Sequence, residues 1–338
     1  MNKKKKDPWR WDVIFLVPRS MKTFDSKTLE KESLGGAEAS VIRVAEGLGA
    51  LGLKVAVIEA EGAPFKTKKG KACTYIHGDA IDSRTTCDHF VQVRNIVFTN
   101  AFPSARKYVW MHDFGSAKLA DWEDDLIKYK IKMVGVSRWH VKNLKKYFKK
   151  YNDITYIHNP VSEKVFRRSS SPSRYDKNLL VWMSSPDKGL DKALELFKRI
   201  RTLRPSMKFK IFNPGYWPAD QERLARAQGV YYLGPKPSMS MWKVVKKALC
   251  VFYPVQYDET FGLVAAEANA LGTPLATYAR AALPEVVSSK NQLLKKEDEK
   301  GIIKRVIHWH DHGRPVVSGK SQFKIKIIAA HWLQLFKG

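Results

Sequence analysis

The chain alternates short apolar runs with segments of helical period over nearly its whole length. Residues 12–18 read Asp-Val-Ile-Phe-Leu-Val-Pro, a continuous apolar run bounded by turn-forming residues. Such runs are typical of parallel strands that are buried on both faces. A Gly-Gly pair at 35–36 precedes a helical stripe from Val41 to Leu48, and residues 54–59 form the next apolar run. We therefore predict a strand, a helix and a second parallel strand joined by a right-handed crossover.

The same alternation continues less regularly through the rest of the first half. The predicted strands lie at 95–100, 107–113, 132–137 and 154–159. Between the last two strands, residues 139–151 predict a strongly basic amphipathic helix. Residues 166–174 carry Arg, Ser and Pro without an apolar period, which is typical of a linker. We therefore predict that the first domain spans residues 1–165.

The second half repeats the alternation more regularly. The predicted elements are strands at 178–183, 208–212, 230–233, 250–255 and 274–278, and helices at 189–203, 221–227, 239–249 and 262–271. This pattern predicts a second doubly wound sheet, so the fold class is α/β with two Rossmann-like domains. Two such sheets in tandem place a cleft between them, and their ligands bind outside the carboxyl ends of the strands. The second domain is predicted at 166–318, followed by a terminal helix at 319–338.

Composition adds one strong feature, a large positive charge. The chain has 60 basic and 33 acidic residues among 338, a formal net charge of +27. This charge implies polyanionic neighbours such as nucleic acid, anionic lipid or phosphorylated ligands. The three cysteines fit neither a metal signature nor a disulfide framework. No apolar run near the N-terminus has the length of a signal peptide or a membrane span, so we expect a cytoplasmic protein.

The basic helix predicted at 139–151 is a candidate for peripheral contact with an anionic membrane. Val141, Leu144 and Phe148 share one face of it, and five lysines lie between positions 142 and 150. A helix of this kind can lie on anionic lipid. The alternative, which we favour, is a solvated basic helix whose apolar side packs in the core.

Two carboxylates in the second half carry the strongest chemical signal. Glu267 lies four residues from both Leu263 and Leu271, in the apolar stripe of a predicted helix. A carboxylate in that position is costly unless it is hydrogen-bonded, and ligand hydroxyls would supply such bonds. Glu259 lies in the loop between a strand and this helix, where α/β sites keep their polar groups. Gly262 at the helix start would let a diphosphate approach the backbone N–H groups and the helix dipole.

This segment resembles the family 4 retaining glycosyltransferases. Their hallmark is two glutamates separated by seven residues, here Glu259 and Glu267, followed by Ala-x-x-x-Gly-x-Pro at 268–274. The resemblance implies the GT-B architecture, with two Rossmann-like domains facing a central cleft and a last helix that crosses back to the first domain. It also implies that Glu259 contacts the donor sugar as a catalytic residue, that Glu267 contacts the ribose hydroxyls, and that no metal or other cofactor is required. The other residues of this segment expected at the donor are Thr260, Phe261, Gly262 and Leu263.

Residues 182–194 resemble the same family in a second segment. They read Trp-Met-Ser-Ser-Pro-Asp-Lys-Gly-Leu-Asp-Lys-Ala-Leu, and in the family a basic residue before Gly-Leu reaches the donor phosphates. Lys188 stands in that place and would neutralise phosphate as a point charge. Ser184 and Ser185 occupy the turn in which the family usually carries a second basic residue. The resemblance therefore assigns Lys188, Ser184 and Ser185 to the donor, with one phosphate partner fewer than usual.

Further candidates lie in the first half. Gly35 and Gly36 match a Gly-Gly turn of the family that lets the backbone approach the donor diphosphate or the acceptor. His112, at the end of a predicted strand, would touch the sugar or an acceptor hydroxyl as a catalytic residue, with Asp113 on the acceptor side. Ser137 begins the basic helix, where an N-cap is favoured over an acceptor contact.

Three histidines alternate near the C-terminus, at His308, His310 and His312. For these residues we favour the end of a surface helix over a metal site.

These assignments predict an enzyme that transfers a sugar from a nucleotide-diphosphate sugar to a glycan, lipid or other hydroxyl acceptor. The resemblance implies retention of the anomeric configuration by front-face displacement, with the leaving diphosphate assisting deprotonation of the acceptor. Two other classes stay open. One is another GT-B enzyme, such as a sugar-nucleotide epimerase or an inverting transferase. The other is a non-enzymatic protein that binds nucleic acid or another polyanion, although specific nucleic-acid binding is not expected because no such motif occurs.

Overall fold

The computed structural model describes residues 7–18, 23–61, 64–166, 174–215 and 220–338. The chain divides into two compact units. The first unit consists of Met1–Lys27, Ala37–Pro160 and Ile325–Gly338. The second unit consists of Thr28–Gly36 and Val161–Lys324. The division at Pro160 precedes the predicted boundary at residue 165. Most of the predicted linker, residues 167–173, lies outside the described residues.

The first unit is built on a sheet that has eight strands within the described residues. The strands are β1 (Arg10–Val17), β2 (Val55–Glu59), β3 (Lys68–Lys69), β4 (Thr74–His77), β5 (Thr86–Val93), β6 (Arg106–Trp110), β7 (Lys132–Gly135) and β8 (Ile154–Tyr156). Their order is β3-β4-β2-β1-β5-β6-β7-β8, and β3 pairs antiparallel with β4 while the other neighbours are parallel. The helices that connect these strands along the chain are α1 (Ser26–Lys31), α2 (Gly36–Ala50), α3 (Glu123–Lys128) and α4 (Arg138–Lys145); most of α1 belongs to the second unit.

The second unit is built on a parallel sheet of six strands within the described part of the chain. Its elements are α5 (Glu163–Phe166), β9 (Asp176–Met183), α6 (Leu190–Leu203), β10 (Lys208–Phe212), α7 (Gln221–Arg226), β11 (Val230–Gly234), α8 (Ser238–Lys246), β12 (Ala248–Tyr253), α9 (Leu263–Ala270), β13 (Leu275–Tyr278), α10 (Leu283–Val286), β14 (Leu293–Leu294) and α11 (Glu299–His312). The strand order is β11-β10-β9-β12-β13-β14. This is the doubly wound order of dinucleotide-binding folds, in which the chain changes direction between the two central strands.

The apolar run of β1 is buried because both faces of the first sheet are covered. Phe15 packs against Trp110 of β6 and Trp332, with ring centroids 6.2 and 6.0 Å apart. Ile14 and Leu16 point to the opposite face, where they belong to a second core cluster. A strand covered on both sides has no polar face, which is why its sequence shows no alternation.

The last helix, α12 (Ile325–Lys337), belongs to the first unit. Phe336 stacks on His89 of β5 with ring centroids 4.3 Å apart, and Arg106 Nη1 donates a hydrogen bond of 3.0 Å to the Phe336 carbonyl. The predicted two-domain α/β fold, with a last helix that returns to the first domain, is confirmed.

The prediction of a strand at residues 95–100 was wrong. Residues 95–100 form turns, and the strand lies earlier, at Thr86–Val93; the strand at Thr74–His77 was not predicted. The polar residues of β5 hide its strand character, because its position is set by pairing with β1 and β6 and not by an apolar pattern. The basic helix also ends sooner than predicted, at Lys145.

Candidate active site

The carboxyl ends of β9 and β12 bring the main candidate residues of the second unit together. These two strands are neighbours at the centre of the sheet, where the strand order reverses. The loops that follow them diverge to opposite sides, and the space between them is where doubly wound sheets bind ligands. Ser184, Ser185 and Lys188 follow β9, and Glu259 follows β12.

The turn after β9 is held close to the loop after β12. The Gln256 N–H donates a hydrogen bond of 3.1 Å to the Lys188 carbonyl. Gly189 has φ of 113°, and a Cβ at this position would lie 3.1 Å from the Gln256 nitrogen. Only glycine adopts this conformation readily and allows this approach. The Lys-Gly-Leu sequence therefore places Lys188 against the next loop and starts α6 immediately afterwards.

Lys188 and Glu259 form an ion pair. Lys188 Nζ lies 2.8 Å from Glu259 Oε1, and their side chains are 26 % and 9 % exposed. Tyr253 Oη donates a hydrogen bond of 2.5 Å to the same oxygen, and Ser184 Oγ lies 3.2 Å from Tyr253 Oη. Burial, followed by the charge of Glu259, raises the pKa of the Tyr253 phenol well above its ordinary value. The phenol therefore stays protonated and acts as a hydrogen-bond donor to the carboxylate.

The loop that carries Glu259 is also fixed from β13. Arg280 Nε donates a hydrogen bond of 2.6 Å to Asp258 Oδ1, and the Ala282 N–H donates to the Glu259 carbonyl at 3.1 Å. The Arg280 side chain is only 16 % exposed. The backbone on both sides of the Glu259 side chain is thus held in place.

The structure starts α9 close to the position predicted from the sequence. Gly262 is its N-cap residue with φ of 92°, and a Cβ there would lie 2.8 Å from Leu283 Cδ2. A Cβ on Gly36 would lie 3.0 Å from Leu263 Cδ1, so the Gly35-Gly36 turn runs beside the first residue of the helix. Phe261 is buried and packs edge-on against Phe323, which anchors the segment before the helix. Helix starts of this kind favour anions.

Glu267 lies about one turn into α9 and is buried, with 8 % of the residue exposed. The sequence led us to expect ligand hydroxyls as donors to this carboxylate, and the protein itself supplies one donor. Trp242 Nε1 on α8 donates a hydrogen bond of 3.2 Å to Glu267 Oε2. Neither glutamate points into bulk water.

In the first unit, His112 and Asp113 follow β6 at the carboxyl edge. His112 is partly buried, and its ring centroid lies 4.6 Å from the ring centroid of Trp110. Burial, followed by the positive charge of Arg94 and by His140, lowers the pKa of His112 well below its ordinary value. The imidazole is therefore neutral near pH 7. Asp113 forms a two-point ion pair with Arg94, with N–O distances of 2.7 and 2.8 Å.

Ser137 has a structural role as the N-cap of α4. Its hydroxyl accepts a hydrogen bond of 2.9 Å from the His140 N–H. His140 Nδ1 accepts from the Val136 N–H at 3.2 Å, so Nε2 carries the proton that it donates to the Asp113 carbonyl at 2.7 Å. Burial lowers the pKa of His140 to about 4. His140 thus supports the loop of His112 and Asp113 as a neutral side chain.

The histidines near the C-terminus lie on α11. His310 Nδ1 lies 2.7 Å from Asp311 Oδ1, and its Nε2 lies 3.0 Å from Asn178 Oδ1. His312 stacks on His308 at 4.7 Å. Within the described residues, no group of three His, Cys, Asp or Glu side chains is arranged to hold a metal ion.

The apolar side of the basic helix packs inside the first unit. Leu144 is fully buried in a core cluster, and Phe148 packs against the same cluster. This arrangement is the one expected for a solvated basic helix whose apolar side packs in the core. None of the helices in the described part of the chain has the length and the apolar character needed to cross a bilayer.

Four residues of these sites were missed by sequence reasoning: Tyr253, Trp242, Arg280 and Arg94. Tyr253 lies near the end of a strand predicted at 250–255 and Arg280 follows another predicted strand closely, so a systematic inspection of strand ends could have found both. Arg94 has φ of 72°, which is unusual for a residue other than glycine and is invisible in the sequence. Trp242 has no local signal, because its role depends on the packing of two helices.

Comparison with known proteins gives one sequence family and a set of solved structures that are similar to this chain. Residues 162–314 match the sequence family described as glycosyl transferases group 1. This match lies within the second unit and covers less than half of the chain. No curated protein matches the chain in sequence.

Solved structures show the same fold at low sequence identity. AviGT4, a glycosyltransferase involved in avilamycin A biosynthesis, is 16 % identical with a TM-score of 0.66, and the match covers 96 % of this chain and 97 % of that one. HepE from Anabaena in complex with UDP and glucose is 14 % identical with a TM-score of 0.66, covering 96 % and 99 %. An S. aureus TarM variant in complex with fondaparinux, alpha-GlcNAc-glycerol and UDP is 15 % identical with a TM-score of 0.56. That match covers 74 % of this chain and 55 % of TarM, so the chain spans only about half of TarM. These similarities establish the GT-B fold.

Proposed function

We propose that the chain is a retaining glycosyltransferase that moves a sugar from a nucleotide-diphosphate sugar to an acceptor hydroxyl without a metal ion. The observation that carries this proposal is the Lys188–Glu259–Tyr253 cluster, which lies where the strand order of the second unit reverses and just before the start of α9. A cation, a carboxylate and a helix N-terminus converge there. Together they suit a ligand that joins a diphosphate to a sugar.

The donor diphosphate would lie at the start of α9. The helix dipole and the ammonium group of Lys188 supply the positive charge that a leaving diphosphate needs. Gly262 allows the close approach, since it has no side chain between ligand and backbone. Because these groups neutralise charge directly, the proposed route needs no divalent cation. Backbone groups at Gly35 and Gly36 lie beside the same helix start.

The two glutamates would bind the two sugars of the donor. Glu259 accepts hydrogen bonds from hydroxyls of the transferred sugar, and Glu267 accepts them from the ribose. In the front-face route, the bond between the anomeric carbon and the phosphate oxygen breaks while the acceptor oxygen bonds to the same face. The acceptor proton moves to the leaving phosphate oxygen. The neutral imidazole of His112 suits a hydrogen bond with an uncharged hydroxyl of the sugar or the acceptor.

The decisive experiment measures activity and stereochemistry together. UDP, GDP and ADP sugars are screened by thermal shift and by release of the nucleoside diphosphate, and the anomeric configuration of the product is read by NMR. Glu259→Ala should remove most turnover while circular dichroism stays unchanged. Glu222→Ala, which removes an exposed carboxylate of the same unit, serves as the control.

Other outcomes would point to other functions. Inversion at the anomeric carbon would indicate an inverting transferase, and conversion of the donor itself would indicate an epimerase. Salt-sensitive DNA binding without any donor turnover would indicate a polyanion-binding protein. Full activity of the Glu259→Ala variant would refute the role proposed for this carboxylate.

Peripheral membrane contact remains a proposal of its own. Since Leu144 and Phe148 pack in the core, any contact through α4 would be electrostatic and carried by its exposed lysines, such as Lys142 and Lys145. Sedimentation with phosphatidylglycerol vesicles should then retain the protein at low salt and release it at high salt. Equal recovery with phosphatidylcholine vesicles would exclude this contact.

A further inference from the structure

We propose that Trp242 is a positioning residue for the donor ribose, acting through Glu267. The inference rests on the proposed function, because it assumes that Glu267 meets a nucleotide. Trp242 lies on α8 and Glu267 on α9, and the indole Nε1–H donates to Glu267 Oε2 at 3.2 Å. This hydrogen bond joins two separate helices at a carboxylate that the sequence already singles out.

The surroundings of Glu267 make this donor important. Glu267 is only 8 % exposed, on a helix that is otherwise rich in alanine. A buried carboxylate requires hydrogen bonds to remain charged. An indole has one hydrogen-bond donor and no acceptor, so it can only donate to the carboxylate. The indole therefore donates to one carboxylate oxygen. An ionised carboxylate can accept further hydrogen bonds, and the ribose hydroxyls would donate them.

The indole is itself held in a defined position. Trp242 is 3 % exposed, and α8 is tied to the end of α9 because Thr273 Oγ1 donates a hydrogen bond of 3.0 Å to the Val245 carbonyl. Both Trp242 and Glu267 lie about one turn from the starts of their helices, which follow β11 and β12. The pair therefore lies toward the ligand-binding edge of the sheet. Rigid support of this kind is what a binding carboxylate needs.

The test compares the wild type with Trp242→Phe, Glu267→Gln and the double variant. Titration calorimetry uses the ribonucleotide that binds among UDP, GDP and ADP, together with its 2′,3′-dideoxy analogue. The wild type should prefer the ribonucleotide by about tenfold, since a hydrogen bond to a charged group carries an effect of this order. Trp242→Phe should lose most of this preference while binding the dideoxy analogue almost as the wild type does. In the Glu267→Gln background the same substitution should have little further effect.

A matched control separates positioning from packing. Trp309 on α11 is also buried, at 4 % exposure, and Trp309→Phe should leave the preference for ribose unchanged. Equal weakening of both nucleotides by Trp242→Phe would overturn the inference, because it would show a general packing effect. An unaltered ribose preference in that variant would overturn it as well, while leaving the proposed function intact. A wild type that binds none of these nucleotides would overturn both.

Discussion

Replacing Lys188 by methionine should destabilise the second unit even without a ligand. The ammonium lies 2.8 Å from a carboxylate whose side chain is only 9 % exposed. Methionine keeps most of the apolar stem and removes the charge, so Glu259 would lose its cation in a buried place. Removing one partner of a fully buried ion pair costs about 3–5 kcal/mol.

The expected magnitude in this protein is smaller than that range. Lys188 is 26 % exposed, so water screens part of the interaction, and Tyr253 still donates a hydrogen bond to Glu259. We therefore expect a loss of about 2 kcal/mol in the free energy of unfolding. The same variant should bind nucleoside diphosphates at least about tenfold more weakly, because a phosphate partner is lost.

Urea unfolding of the full chain, followed by tryptophan fluorescence, measures the first effect. The double variant Lys188→Met with Glu259→Gln should recover at least about half of the lost stability, since the amide needs no countercharge. A Lys188→Met variant within about 0.5 kcal/mol of the wild type would refute the reasoning. So would a loss of the same size in the Glu259→Gln background.

Four further predictions test other parts of the structure. Tyr253→Phe removes the phenol that donates to the Glu259 carboxylate, so, if the proposed function holds, kcat/KM should fall about tenfold with little change in fold, as steady-state kinetics would show. Gly262→Ala forces an L side chain to a φ of 92° and against Leu283; we expect a loss of about 1–3 kcal/mol and weaker nucleotide binding by thermal shift. Ser137→Ala should cost about 1 kcal/mol in urea unfolding through the lost N-cap, and unchanged nucleotide affinity would separate it from the site. His140 has a pKa lowered to about 4, so its unfolded state binds more protons between about pH 6.5 and 4. Stability should fall as the pH drops through that window by up to about 3 kcal/mol, and urea unfolding of a His140→Gln variant should show a smaller drop.

The alternation of strands and helices in the second unit could be predicted from the sequence because its central strands are buried on both faces. The residues of β12 are all buried, and their apolar run carries the signal by itself. In the first unit, β5 contains Asp88, His89 and Gln92, and its place depends on partners far away in the chain. The apolar residues Val97 and Phe98 led to the wrong prediction of a strand at 95–100, although they are 57 % and 42 % exposed.

The candidate site, too, could be predicted from the sequence only in part. Lys188 and Glu259 could be named from local motifs, but their direct pairing could not, because it depends on two loops meeting where the strand order reverses. The hydrogen bonds from Tyr253 and Trp242 come from a strand end and from another helix. Local sequence identifies the candidate side chains, whereas tertiary packing determines which residues hold them in position.

The candidate residues of the two units differ in charge, and this difference suggests a different role for each unit in the proposed reaction. In the second unit, Lys188 and the start of α9 provide positive charge, which suits a diphosphate. In the first unit, burial keeps both His112 and His140 neutral near pH 7, because it lowers the pKa of each. A neutral imidazole binds an uncharged hydroxyl without the cost of desolvating a cation. We therefore expect nucleotide affinity to depend on Lys188 and to be indifferent to His112→Gln, whereas turnover with an acceptor should depend on both. Weakened nucleotide binding in the His112→Gln variant would contradict this division of roles.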